Sequence, residues 1–231
     1  MAGFFPDIAS SYASDIDGLI LLVGVIVGFW FFLTELILFV FIIKYRESKS
    51  PKSSYVTGKE AHLTRWINWP HVLILVCDVV LIVGAIRVWV MVKQTLPEEA
   101  QEVRVTAQQW GWTFQYPGED GELDTPDDIT TIDELYLQVD QEYIYNLESK
   151  DVLHSFSVPA FRLKQDAIPG RRIKGWFTPI LEGNFDIQCA EICGLGHGMM
   201  AASLTVHNAE DHAAWLASHR TQTAALLPDK E

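Results

Sequence analysis

Positive charge is scarce in this chain and unevenly placed. Seventeen Lys and Arg face 30 Asp and Glu, a formal net of −13, which excludes a nucleic-acid partner because phosphate binding needs a basic face. No Lys or Arg precedes Lys44, whereas Asp7, Asp15 and Asp17 do. A cleaved export signal needs a basic stretch there, and the apolar run that follows is too long for one. Cysteine is scarcer still. There are three, and none sits in the C-x2-C pairs of zinc ribbons, the cysteine runs of ferredoxins or the C-x2-C-H haem-attachment motif. Internal repeats are absent too.

What is abundant is apolar sequence in two blocks. Gly18 to Ile43 holds 26 residues whose only charge is Glu35, and Pro70 to Val92 holds 23 interrupted by Asp78 and Arg87. A hydrocarbon core takes roughly 20 apolar residues as helix, so the blocks predict membrane helices over about 18–43 and 70–92. Between them lie Lys44, Arg46, Lys49, Lys52, Lys59 and Arg65 against Glu47 and Glu60, which places that loop on the cytoplasmic side. Both chain ends then lie outside, giving residues 1–96 as an N-terminal segment plus transmembrane hairpin and 97–231 as an exported domain. Glu35, Asp78 and Arg87 are costly inside a bilayer and need partners. Glu35 is expected to face another subunit or a polar cavity, and Cys77 to serve packing.

Beyond Pro97 the pattern becomes short alternating runs broken by Gly, Pro and Asp. Residues 102–106, 113–116, 134–139, 143–147, 173–178, 183–188 and 202–206 read as strands, predicting an antiparallel sandwich or small Greek-key barrel. Asp211 to Leu227 reads as an amphipathic terminal helix. The region from Pro97 onward carries nine Lys and Arg against 23 Asp and Glu, a net of −14, densest from Glu119 to Asp128. Such a run either only solubilises a loop or steers a basic partner. The aromatic cluster Gln109-Trp110-Gly111-Trp112-Thr113-Phe114 is expected to send Trp112 and Phe114 into the core.

The chemistry is concentrated between Cys189 and Met200. The pattern C-x-E-x-C-x3-H-x2-M gathers two thiols, an imidazole and a thioether, soft donors that select copper, zinc or iron–sulfur. Blue copper needs one thiolate, and this loop has two, which could bridge two copper ions. A second imidazole must come from elsewhere, and His154 in Asp151-Val152-Leu153-His154-Ser155-Phe156 is the best placed. The competing reading is a Cys189–Cys193 disulfide in an exported domain. Met199 competes with Met200, with the H-x2-M spacing favouring Met200. His62, His71, His207, His212 and His219 have no nearby soft partner in sequence and read as surface or interfacial residues.

The loop and the DVLHSF segment together resemble the binuclear copper (CuA) domain of cytochrome c oxidase subunit II in the haem–copper oxygen reductase family. The resemblance implies a cupredoxin-like Greek-key domain behind a two-helix transmembrane hairpin. It implies Cys189 and Cys193 as bridges between two copper ions, His154 and His197 as one imidazole for each, and Met200 and the Glu191 carbonyl as weak axial ligands. It makes the Glu191 carboxylate a contact to magnesium at the interface with the catalytic subunit, and Trp110 the point where electrons come in. Gly111 departs from the family, where a larger residue is common. The Phe161–Arg171 segment, with Arg172, maps to the face toward the catalytic subunit. The family's glutamate ahead of the second helix falls on Leu63, so proton uptake through that position is not expected. Implied partners are a haem–copper catalytic subunit, other oxidase subunits, the lipid bilayer and a separate cytochrome c-type donor. The implied location is a bacterial inner membrane with the domain periplasmic or extracellular. The implied activity is that of cytochrome c oxidase as a complex, with proton pumping, since this subunit alone does not reduce oxygen. A nitric oxide reductase subunit and a membrane-anchored copper carrier are the alternatives.

Overall fold

The structure, a computed structural model, describes residues 6–46 and 55–226. Lys49, Lys52 and Glu47 of the basic loop, and Leu227 of the terminal helix, lie outside them. The chain forms two compact units, one of residues 15–91 and one joining residues up to 14 with those from 92 onward.

The first unit is a helical hairpin. Helix α1 runs Ala13–Lys44 and α2 runs Ala61–Trp89, followed by a π-helical turn over Val90–Gln94. Both are long and apolar enough to cross a membrane. α2 begins nine residues earlier than predicted because Pro70 does not start it. Pro70 lies inside the helix, where membrane helices tolerate it as neighbouring groups re-satisfy the carbonyl that its missing N–H leaves free. Trp66 and Leu63 are therefore in the first turns of α2 and do not precede it. Gly84 of α2 faces Leu19 and Leu22 of α1, with room for a Cβ only at 3.4 Å from Leu19 Cδ1. Small residues of this kind let helices approach closely.

The second unit is a β-sandwich of ten strands where seven were expected. The strands are β1 Gln101–Gln108, β2 Gly111–Tyr116, β3 Ile129–Ile132, β4 Glu134–Gln138, β5 Tyr143–Ser149, β6 His154–Val158, β7 Leu163–Ala167, β8 Ile173–Phe177, β9 Gly183–Cys189 and β10 Ala201–His207, with helix α3 over Ala209–Leu226. One sheet orders β3-β2-β1-β5-β8 and the other β4-β10-β9-β6-β7. The sandwich is mixed, not purely antiparallel: β1 runs parallel to β5, and β10 to β4.

The parallel pairs follow from chain crossings between the sheets. One of these is the single residue between β3 and β4. Asp133 takes φ 56° and turns a continuous run from one sheet into the other, as strand bends do at sandwich corners. Its N–H donates to the Trp112 carbonyl at 2.8 Å, its carboxylate accepts from Trp112 N–H at 2.7 Å, and its carbonyl accepts from Ser203 N–H at 2.9 Å. Trp112 and Phe114 are fully buried and meet Phe156 of the facing sheet at ring distances of 5.4 and 6.4 Å, as the alternating pattern requires.

The residues just ahead of α1 belong to this sandwich. Ala9 N–H donates to Ala160 O, Ser10 Oγ to Phe161 O at 2.9 Å, and Ser11 N–H to Thr178 O. Arg162 donates to the carbonyls of Pro6 and Asp7. Tyr12 is buried with its ring edge-on to Trp176 at 5.3 Å.

Candidate metal centre

Strand pairing assembles the site. β6 lies antiparallel to β9 with Phe156 opposite Cys189, so His154, two residues along β6, falls on the same face as Cys189. β9 and β10 are also antiparallel, and Cys189 N–H donates to Met200 O at 3.1 Å. The loop 190–200 is thus an excursion between two paired strand ends. It folds back through Gly194 at φ +123° and a 3-10 turn over His197–Met199.

The donor atoms converge as the motif predicts. Cys189 Sγ and Cys193 Sγ are 3.8 Å apart. Around Cys189 stand His154 Nδ1 at 3.9 Å and the Glu191 carbonyl at 3.2 Å. Around Cys193 stand His197 Nδ1 at 3.7 Å and Met200 Sδ at 3.7 Å. Both thiols are free, so the structure holds no disulfide between them. Met199 is 82% exposed and Met200 2%, so Met200 is the thioether that stands at the thiol pair.

The pocket penalises thiolates without a cation. Burial, then the neighbouring Cys189 thiol, pushes Cys193 up to about 11. Ligand thiols must lose protons to bind metal, so a cation is the natural compensation for two thiolates placed this closely. Two thiols, each with one imidazole nitrogen and one weaker donor, suit copper better than a magnesium-type ion.

A second layer of residues holds these candidate donors, and sequence reasoning missed it. Asp151 Oδ1 stands 2.8 Å from His154 Nε2, leaving Nδ1 to face the sulfur. A carboxylate on the far ring nitrogen fixes tautomer and orientation. The other oxygen, Oδ2, accepts from Gln109 N–H at 2.7 Å. Gln109 Nε2 and Trp110 Nε1 both donate to the Cys193 carbonyl, at 2.8 and 3.3 Å. Trp110 is 44% exposed and lies over the loop. Ile192, Leu195 and Met199 are exposed beside it, forming an apolar rim.

Other expected residues sit elsewhere. The Glu191 carboxylate has no hydrogen-bond or ion-pair partner among the described residues. Arg172 pairs with Glu148 at 3.3 Å, and Arg171 is exposed. Glu35 and Asp78 line one cavity of about 410 Å³ between α1 and α2, with Thr34 and Cys77. His207, His212 and His219, expected as surface or interfacial residues, gather around Tyr136 and Trp215. His212 is 3% exposed.

The acidic run forms the β2–β3 connection and is wired into itself. Asp124 is ion-paired with Arg104, which holds its carboxyl below the usual range. Asp127 caps Glu119 N–H, Asp128 caps Asp124 N–H, and Asp120 caps Glu122 N–H.

Residues 101–206 match the family described as cytochrome c oxidase subunit II, periplasmic domain. The chain is 38% identical over 149 residues to the alternative cytochrome c oxidase subunit 2 of Bradyrhizobium diazoefficiens, spanning about half of that protein's length (54%). The solved periplasmic domain of subunit II of cytochrome oxidase (CoxB) of Bradyrhizobium japonicum superimposes on 56% of this chain and 99% of its own, with TM-score 0.50 and 26% identity. With cytochrome c oxidase subunit 2 of Cereibacter sphaeroides the identity is 30% over 258 residues, covering 97% of this chain and 82% of that one. A match of that extent, on a fold whose facing strands bring the two thiols, two imidazoles and a thioether together, makes this chain a member of the cytochrome c oxidase subunit II family.

Proposed function

We propose that this chain is the electron-accepting subunit of a membrane-bound haem–copper terminal oxidase. It takes electrons from a cytochrome c-type donor and hands them to haem in a catalytic subunit that reduces oxygen and pumps protons. The observation that carries this reading is the pair of thiols 3.8 Å apart, each with its own imidazole nitrogen and one weak donor. Cys189 and Cys193 would bridge two copper ions, with His154, His197, Met200 and the Glu191 carbonyl completing them. When bound, the pair supplies a one-electron store that needs little rearrangement between its two states.

The chain's own residues do the rest. The β6, β9 and β10 ends hold the donors rigidly, Asp151 orients His154, and buried Trp112, edge-on to His154 at a ring distance of 6.4 Å, keeps water away. Half-exposed Trp110 offers a docked donor an aromatic path through its hydrogen bond to the Cys193 carbonyl. The Glu191 carboxylate, free beside the loop, is the group to contact magnesium against the catalytic subunit. The residues ahead of α1 are built into the sandwich, which supports both chain ends lying on the same, periplasmic side, in keeping with the basic loop facing the cytoplasm.

Metal analysis and electron paramagnetic resonance on the purified full chain test the reading. Two coppers per chain sharing one unpaired electron are expected; one copper, or zinc alone, rejects it. The haem subunit that co-purifies separates an oxygen reductase from a nitric oxide reductase, and its absence leaves a membrane-anchored copper carrier.

A further inference from the structure

Gln109 has no role in the reading above, yet its contacts link two parts of the site. Its backbone N–H is fixed by Asp151 at 2.7 Å, the same carboxylate that holds His154. Its side-chain amide donates to the Cys193 carbonyl at 2.8 Å. The indole of Trp110 reaches that carbonyl only at 3.3 Å, at the long end for an N–H donor, so Gln109 is the principal donor. One residue therefore ties the ligand His154, through Asp151, to the ligand Cys193.

The loop is shaped to receive this pair. A Cβ at Gly194 would stand 2.9 Å from Gln109 Nε2, and one at Gly196 would stand 2.5 Å from Trp110 Cδ2. The two glycines let the amide and the indole lie directly on the loop backbone. Without the Gln109 clamp, the Cys193–Gly194 peptide would keep one long hydrogen bond, and the indole would lose the neighbour that fixes its height above the loop.

We propose that Gln109 is a positioning residue for electron transfer at this site. Its amide holds the Cys193 carbonyl, which seats Trp110 on the loop and sets the electron affinity of the thiolate pair. The inference rests on the copper reading of the site. An N–H dipole pointing its positive end at the loop favours the state holding the extra electron. Removing the dipole then lowers the midpoint potential, and loosening the indole slows electron input.

The test is Gln109→Leu in the full chain loaded with copper, compared with Gln109→Glu, which keeps the shape, and with Trp110→Phe, which keeps the ring but removes the second donor. Gln109→Leu is expected to keep two coppers, shift the copper hyperfine pattern, lower the midpoint potential and slow reduction by a ferrous c-type cytochrome about tenfold, in the range usual for groups that orient metal ligands. Trp110→Phe should leave the hyperfine pattern nearer to that of the unsubstituted chain than Gln109→Leu does. If Gln109→Leu carries full copper with unchanged hyperfine pattern and potential, the proposal is overturned. Should Gln109→Leu fail to fold, Gln109→Met, neutral and of similar length but without the donor, decides by the same two readouts. A missing mixed-valence signal in the unsubstituted chain instead removes the copper reading itself.

Discussion

Asp151 commits both carboxylate oxygens to residues beside the metal loop, one to His154 Nε2 and one to Gln109 N–H. In Asp151→Asn the side chain keeps one acceptor, so it can serve only one of these groups well. Copper affinity should fall about 10–100-fold, read by competition with a chelator, while the domain's melting point changes little. The candidate donors were legible in the sequence because Cys189, Cys193, His197 and Met200 lie at short spacing on one loop. Gln109 was not, since its role comes from the β1–β2 turn meeting a loop more than 80 residues away, and Asp151, three residues before His154, carries no spacing signal that marks it as the partner of a ring nitrogen. His154, expected from its DVLHSF segment, stands 3.9 Å from Cys189 Sγ, a proximity that no spacing rule on the loop could have supplied.

Among elements, α3 shows how a helix can be correctly anticipated and its partners missed. Its position was expected from residue 211 and its histidines were read as surface or interfacial, whereas His212 is 3% exposed. His212 packs on Trp215, itself stacked on Tyr136 at a ring distance of 4.7 Å. Burial, then nearby His207, lowers His212 to about 4; Tyr136, whose hydroxyl donates to Glu134, and His219 complete the polar surroundings. A depressed histidine value favours the neutral ring in the folded state. That stability is full above about 6.5, the unfolded value, and is lost as pH falls toward 4. The loss is on the order of 2–3 kcal/mol. Thermal melts from pH 7 to 4 should show a fall that His212→Phe flattens. The missed strands have their own reasons. β3 is four residues at the end of an acidic run, and β7, Leu-Lys-Gln-Asp-Ala, is a charged edge strand whose composition guards an open side and hides its pattern.

Across the whole molecule, charge and connectivity work at different ranges. The acidic run lies past Tyr116, at the end of β2 opposite Trp110, roughly 20 Å along a six-residue strand. A Debye length is about 8 Å at physiological salt. Neutralising Glu119, Asp120 and Glu122 should therefore leave the salt dependence of donor reduction nearly unchanged in stopped-flow measurements. A large flattening would show that this loop steers the donor after all.

The strap ahead of α1 makes a longer connection. Tyr12 is buried against Trp176 and its hydroxyl donates to the Trp176 carbonyl at 3.3 Å, so Tyr12→Ala should destabilise the sandwich by about 3 kcal/mol, seen in denaturant melts of the full chain. Ser10 and Phe161 are 151 residues apart, Tyr12 and Trp176 164. During synthesis Ser10 and Tyr12 leave the ribosome before either helix, yet their seats are made after most of the sandwich. At about 5–20 residues per second, that is a wait of several seconds or more, during which an aromatic side chain stands uncovered. A segment made before both helices is thus among the last to settle. A chaperone or assembly factor that shields it in that interval would raise the yield of folded subunit without touching the metal loop at all.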